Sequence, residues 1–155
     1  MKKTLAIGLV AFFAASAHAQ QKAAEADEPL FFSMNEVELS QFMWKKRAVV
    51  VFADSELDPA FEDQIKKLRS RPEELVARDV VVIMDTSPEP LSDLRRQLRP
   101  RGFMLVLMSK DGTVNVRKPF PWDVREITRS IDKMPIRKRE IRDAKERAAQ
   151  TRGPS

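Results

Sequence analysis

The residues best placed to do chemistry lie where two apolar runs break into acid. Ala48-Val49-Val50-Val51-Phe52 gives way to Asp54, Glu56 and Asp58, and Val80-Val81-Val82-Ile83 gives way to Asp85 and Thr86. If both runs are parallel strands, Asp54 and Asp85 reach the same end of the sheet. A third apolar run, Phe103 to Met108, starts at that end behind Arg99, Arg101 and Gly102 if it returns antiparallel. Crevices at strand carboxyl ends are where open α/β sheets usually bind ligands. Asp54, Glu56, Asp58, Asp85 and Thr86 offer oxygens to a hard cation, and Arg99 and Arg101 offer guanidinium groups to an anion. No spacing among them matches a metal loop. The simpler expectation is that Arg101 neutralises Asp54 or Asp85 while the remaining acids cap helices. No catalytic residue, metal site or cofactor is assigned.

The missing residue types narrow the chemistry further. The chain has no cysteine and no tyrosine, and its one histidine is His18. Lys2 and Lys3, the apolar stretch Leu5 to Ala15, and Ala17-His18-Ala19 have the three parts of a signal peptide, with an apolar segment too short to span a bilayer. Cleavage after Ala19 is expected, with no transmembrane segment left. Without a cysteine, no lipoprotein anchor follows it. The expected location is the periplasm or exterior of a bacterial cell envelope. The mature chain then lacks His as well as Cys, which excludes thiol chemistry, Ser-His-Asp triads and zinc sites built on imidazole or thiolate.

Charge is unevenly spread. The formal balance of +5 falls with Lys2 and Lys3, and residues 135–155 hold seven basic against three acidic side chains. The body between is close to neutral, so the basicity belongs to a tail rather than to a binding face, and nucleic acid is not expected as a partner.

The elements that must position these groups follow in order. After a polar, flexible lead (20–29), Ser33 and Glu36 are spaced as a capping box, with Phe32 and Val37 as a staple, and predict a short helix to about Trp44. The strand from Ala48 follows, then a helix opened by Asp58 and Pro59 with Phe61, Ile65 and Leu68 on one face. Pro72 to Ala77 allows one or two turns before the strand Asp79 to Met84. The next helix turns Leu91, Leu94 and Leu98 inward and Arg95, Arg96 and Arg99 outward. Asp111-Gly112 predicts a tight hairpin from Phe103–Met108 into Val114–Arg117, and Asp123 caps a helix with Val124, Ile127 and Ile131 inward. Trp44, Phe120 and Trp122 are expected in core and lid packing. Residues 135–155 form a charged helical tail whose few apolar groups leave the body able to fold without it.

This order predicts an α/β fold: a thioredoxin-like three-layer sandwich with a central mixed four-stranded sheet over 30–134, plus the C-terminal charged helix. Trp44-Lys45-Lys46-Arg47, Val50-Val51-Phe52-Ala53, Arg101-Gly102-Phe103, Lys110-Asp111-Gly112 and Trp122-Asp123-Val124-Arg125 carry a resemblance to the DUF4174 family, which is thioredoxin- and peroxiredoxin-like. The resemblance implies no defined reaction; similar domains in animal secreted and matrix proteins imply adhesive or scaffolding roles. Laid on a thioredoxin, the redox Cys-Gly-Pro-Cys falls on Leu57, Asp58, Pro59 and Ala60, keeping the proline and losing both sulfurs. The cis-proline position falls near Met104, a second departure. If the loop is a silenced redox site, Leu57 packs beneath the helix that starts at Pro59. The expected function is an exported, non-catalytic binding or scaffolding domain, with an envelope protein as partner and an anionic surface, met through the basic tail, as a further one. The alternative is a cysteine-independent enzyme performing metal-assisted hydrolysis at Asp54, Asp85 and Arg101.

Overall fold

The structure is a computed structural model that describes residues 30–151. The expected signal peptide (1–19) and lead (20–29) lie outside the described residues, as does 152–155. Five strands form one mixed sheet, β1 (Phe31–Ser33), β2 (Arg47–Phe52), β3 (Val80–Asp85), β4 (Met104–Met108) and β5 (Val114–Lys118), in the order β1-β3-β2-β4-β5. β2 runs parallel to β3 and antiparallel to β4, as the positions of Asp54 and Asp85 require, and β5 returns antiparallel to β4. The helices are α1 (Pro59–Arg69), α2 (Pro72–Val76), α3 (Asp93–Leu98), α4 (Val124–Asp132) and α5 (Pro135–Thr151).

Every residue of β2 is buried, because helices cover both faces of the sheet. On one face Val49, Val51, Val82, Leu105 and Leu107 meet Phe61, Ile65 and Leu68 of α1 and Ile127 and Ile131 of α4. Burial of each such large apolar side chain contributes roughly 1.5–3 kcal/mol. On the other face Val50, Phe52, Val81, Ile83 and Val106 meet Leu94 and Leu98 of α3, with Leu39 and Phe42 against the rim. The alternation within each strand sets which residue serves which layer.

The expected four strands become five because the helix from Ser33 to Trp44 does not form. The Ser33 amide does donate to Glu36 Oε2 at 3.2 Å. Phe31 and Phe32 instead pair with Val82 and Ile83, adding a parallel edge strand, and only a 3-10 turn, Leu39–Phe42, follows. The local capping contact is kept while the longer-range ladder decides the backbone. Trp44 is 70% exposed and Phe120 53%, against the expected core packing, whereas Trp122 does pack against the core. Trp44 takes a left-handed φ of 64°, which turns its amide to Lys110 O at 2.7 Å and starts β2. The hairpin between β4 and β5 has Gly112 at φ 81°, with Met43 3.2 Å from where a Cβ would lie. A side chain there would be strained twice over.

Candidate functional site

The loop after β2 carries the positions that correspond to a redox motif. Asp58 caps α1: its Oδ1 accepts from the amides of Ala60 (2.8 Å) and Phe61 (3.2 Å), and Pro59 takes the first helical position. Ser55 Oγ accepts from the Leu57 amide at 3.1 Å, and the Asp58 amide donates to Ser55 O at 3.2 Å. This tight turn points Leu57 outward. The residue is 81% exposed, which corrects the expectation that it packs beneath α1. Pro59 is exposed and Ala60 half-buried, and neither position supplies a nucleophile.

At the same sheet end Asp85 is buried, and its partner is not Arg101. Arg95 Nε donates to Asp85 Oδ1 at 2.7 Å, and Ser92 Oγ donates to Asp85 Oδ2 at 2.7 Å. Arg95 Nη2 also donates to the carbonyls of Ala53 and Asp85. Its guanidinium lies 5.5 Å from the centre of the Phe52 ring. Ser92 caps α3 through the Arg95 amide at 3.0 Å, so one hydroxyl both starts the helix and orients the carboxylate. Arg95, expected outward, is thus an interior residue, while Arg101 is exposed and forms no ion pair among the described residues. Asp54 remains 63% exposed in its side chain, with Oδ1 at 3.7 Å from Arg95 Nη1.

Two grooves flank this end. One, of about 660 Å³, runs between α1 and β1–β3 and is lined by Glu56, Glu62, Lys66, Arg69, Met84 and Thr86, with Phe61 and Ile65 below. The other, of about 490 Å³, is formed by Leu91, Arg96, Arg99 and Pro100 around Arg95. The proposed edge is therefore divided. Glu56 and Thr86 face the first groove, Arg99 the second, and Asp54 and Asp85 meet Arg95 between them.

Residues 38–140 match the family model described as Domain of unknown function (DUF4174). This chain belongs to the DUF4174 family. No curated protein matches the sequence. Among solved structures, it is similar to the reduced 2-Cys peroxiredoxin of Plasmodium vivax, at 16% identity over 62% of this chain and 81% of that one, with a TM-score of 0.52. It is also similar to chloroplastic thioredoxin z, at 21% identity over 66% of this chain and 90% of that one, with a TM-score of 0.50. These likenesses establish the thioredoxin-like fold. The DUF4174 chain has no cysteine, so the fold is here without its thiol chemistry.

The carboxylates of this DUF4174 domain do not converge on a cation. Among the described residues, no group of three or more His, Cys, Asp or Glu side chains is arranged to hold a metal. The polar cluster with the densest connections lies at the opposite end of the sheet. Arg47, fully buried at the start of β2, donates to Arg78 O at 2.8 Å and to Glu140 Oε2 of α5 at 3.0 Å. Lys110 Nζ lies 2.8 Å from Glu140 and 2.7 Å from Asp79. Arg137 Nη1 lies 3.3 Å from Glu140. Burial pushes the Glu140 carboxyl up, but hydrogen bonds from Lys110 and Arg47 and their charges outweigh it, and the net shift is downward. Nearby, the hydrogen bond from Arg78 holds the Asp132 carboxyl below its ordinary range. Sequence reasoning missed this cluster because Arg47 reads as the end of the basic run Lys45-Lys46-Arg47. The available signal was its position: a cation one residue ahead of five buried apolar residues needs an internal partner.

Proposed function

We propose that this protein works by binding rather than by catalysis, as an exported thioredoxin-like domain of the bacterial envelope that engages another envelope protein. The observation that carries the reading is Leu57. The loop that would hold a redox pair is stapled by Ser55 and Asp58 and presents a leucine to solvent, 81% exposed. A turn that already holds an apolar side chain outward lets a partner bury it without the cost of ordering the loop. The hydrolase alternative gains no support, since Arg95 and Ser92 occupy the Asp85 carboxylate. A second, anionic surface has a narrower basis: Arg99 and Arg101 are exposed and form no ion pair among the described residues, and Arg99 lines the groove at Leu91. The basic tail is the other candidate for that contact.

The test places a photo-reactive amino acid at position 57, or at exposed Val76 as control, in the full-length precursor expressed in its envelope. A mature protein beginning at Gln20 by intact mass and a discrete adduct from position 57 alone are expected. Equal labelling from both positions, or none from position 57, overturns the reading.

A further inference from the structure

The groove beside α1 has an ordered charge pattern that nothing within the domain satisfies. Glu56 and Glu62 stand toward the start of α1, and Lys66 and Arg69 toward its end. Glu62 and Lys66 are four residues apart, yet neither forms an ion pair, and the same holds for Glu56 and Arg69 among the described residues. By contrast, Lys67, adjacent to Lys66 but outside the groove, pairs with Asp63 at 3.2 Å. Arg69 does have an apolar support, its guanidinium lying 5.3 Å from the centre of the Phe31 ring. Between the two charged ends the lining is apolar: Phe61, Ile65 and Met84, the first two also core residues.

We propose that this groove binds an extended segment of a protein partner that carries a basic residue, an apolar residue and an acidic residue in succession. Glu62 and Lys66 are separated by about 6 Å of helix rise. Residues i and i+2 of an extended chain are about 6.6 Å apart and share a face, while i+1 points the other way. A basic side chain therefore meets Glu56 and Glu62, the acidic side chain two positions along meets Lys66 and Arg69, and the apolar one between them, turned away from α1, faces Met84 on the sheet side of the groove. The volume of about 660 Å³ suits a short peptide stretch and lies within the usual range for ligand clefts. The inference deepens the binding reading above and rests on it, but concerns a surface next to Leu57 rather than Leu57 itself.

The probe is the peptide acetyl-Ala-Lys-Leu-Glu-Ala-amide, titrated into isotope-labelled full-length mature protein, with acetyl-Ala-Gln-Leu-Gln-Ala-amide as the control. Amide shifts at Glu56, Glu62, Lys66, Arg69, Met84 and Thr86 are expected with the charged peptide. Glu62→Gln and Lys66→Gln are each expected to weaken binding about two- to fivefold, the range of a single exposed ion pair, and to leave folding unchanged because both side chains are exposed. Equal binding of the neutral peptide, or shifts confined to the groove at Arg99, overturns the proposal. Binding seen only after removal of residues 20–28 also overturns it, because the chain's own lead is then the occupant. If the peptide fails while position 57 still crosslinks, the groove assignment falls and the binding function stands; loss of both removes the function as well.

Discussion

Arg95 and Asp85 form an ion pair at 2.7 Å in which each side chain is only 3% exposed. A buried pair of this kind contributes little net stability, because desolvating two charges offsets most of their attraction. Its consequence is geometric. The guanidinium also holds Ala53 O and Asp85 O, so α3 is fastened across the carboxyl ends of β2 and β3, where a ligand crevice would otherwise open.

Removing one partner should therefore cost far more than removing both. Arg95→Met leaves Asp85 buried without its cation, and a loss of about 3–5 kcal/mol is expected in urea unfolding. The double variant Arg95→Met/Asp85→Leu should recover a large part of that loss. A single variant that unfolds like the native protein would mean the pair is not buried in solution.

Leu57→Ala should be nearly silent for stability, within about 0.5 kcal/mol of the native protein, because the side chain contacts mainly water. A packed leucine would instead cost about 2–4 kcal/mol, as deletions at buried positions do. Urea unfolding midpoints separate these values. Any loss of partner co-purification by this variant then reports recognition rather than folding.

These two residues mark the limit of what could be read from sequence. Four of the five strands were legible, three as apolar runs bounded by charges or turn residues and β5 from the Asp111-Gly112 hairpin before it, and α1 because Asp58-Pro59 is a strong helix start. Arg95 was not legible: it lies between Leu94 and Leu98, beside Arg96 and one turn before Arg99 at the helix end, and only tertiary placement shows that it faces Asp85. Leu57 was misplaced for the converse reason, since apolar character suggested burial while the Ser55 and Asp58 turn turned it outward. β1 was lost to a real local signal, the Ser33–Glu36 contact, which forms without a helix. The tail has few apolar groups, and its docking depends instead on one carboxylate, Glu140, meeting two cations of the body, Arg47 and Lys110.

That docking makes the position of truncation matter. Ending the chain after Ile141 removes a segment whose described residues, 142–151, are all exposed, and the melting transition should shift by no more than about 2 °C. Ending it after Met134 removes Glu140 and leaves the Arg47 guanidinium buried without its carboxylate. Because Glu140 is itself a quarter exposed, a loss of about 2–3 kcal/mol, or roughly 8–12 °C, is expected by calorimetry. Equal effects of the two truncations would refute the clasp at Glu140.

The same clasp sets an acid limit. Glu140 and Asp132 both have folded-state carboxyls lowered from ordinary values of 4.5 and 3.8. A lowered value means the folded state binds the proton less readily than the unfolded chain. The stabilisation is therefore complete above the ordinary carboxylate range and fades as pH falls through it toward the folded values. Native protein and Glu140→Gln should differ most near neutral pH, and the difference in urea midpoint should shrink steadily below about pH 4.5. Salt should weaken this difference only modestly, because Arg47 is fully buried and Glu140 and Lys110 are mostly so. A difference that grows on acidification would reverse the sign and show that Glu140 is held in its neutral form.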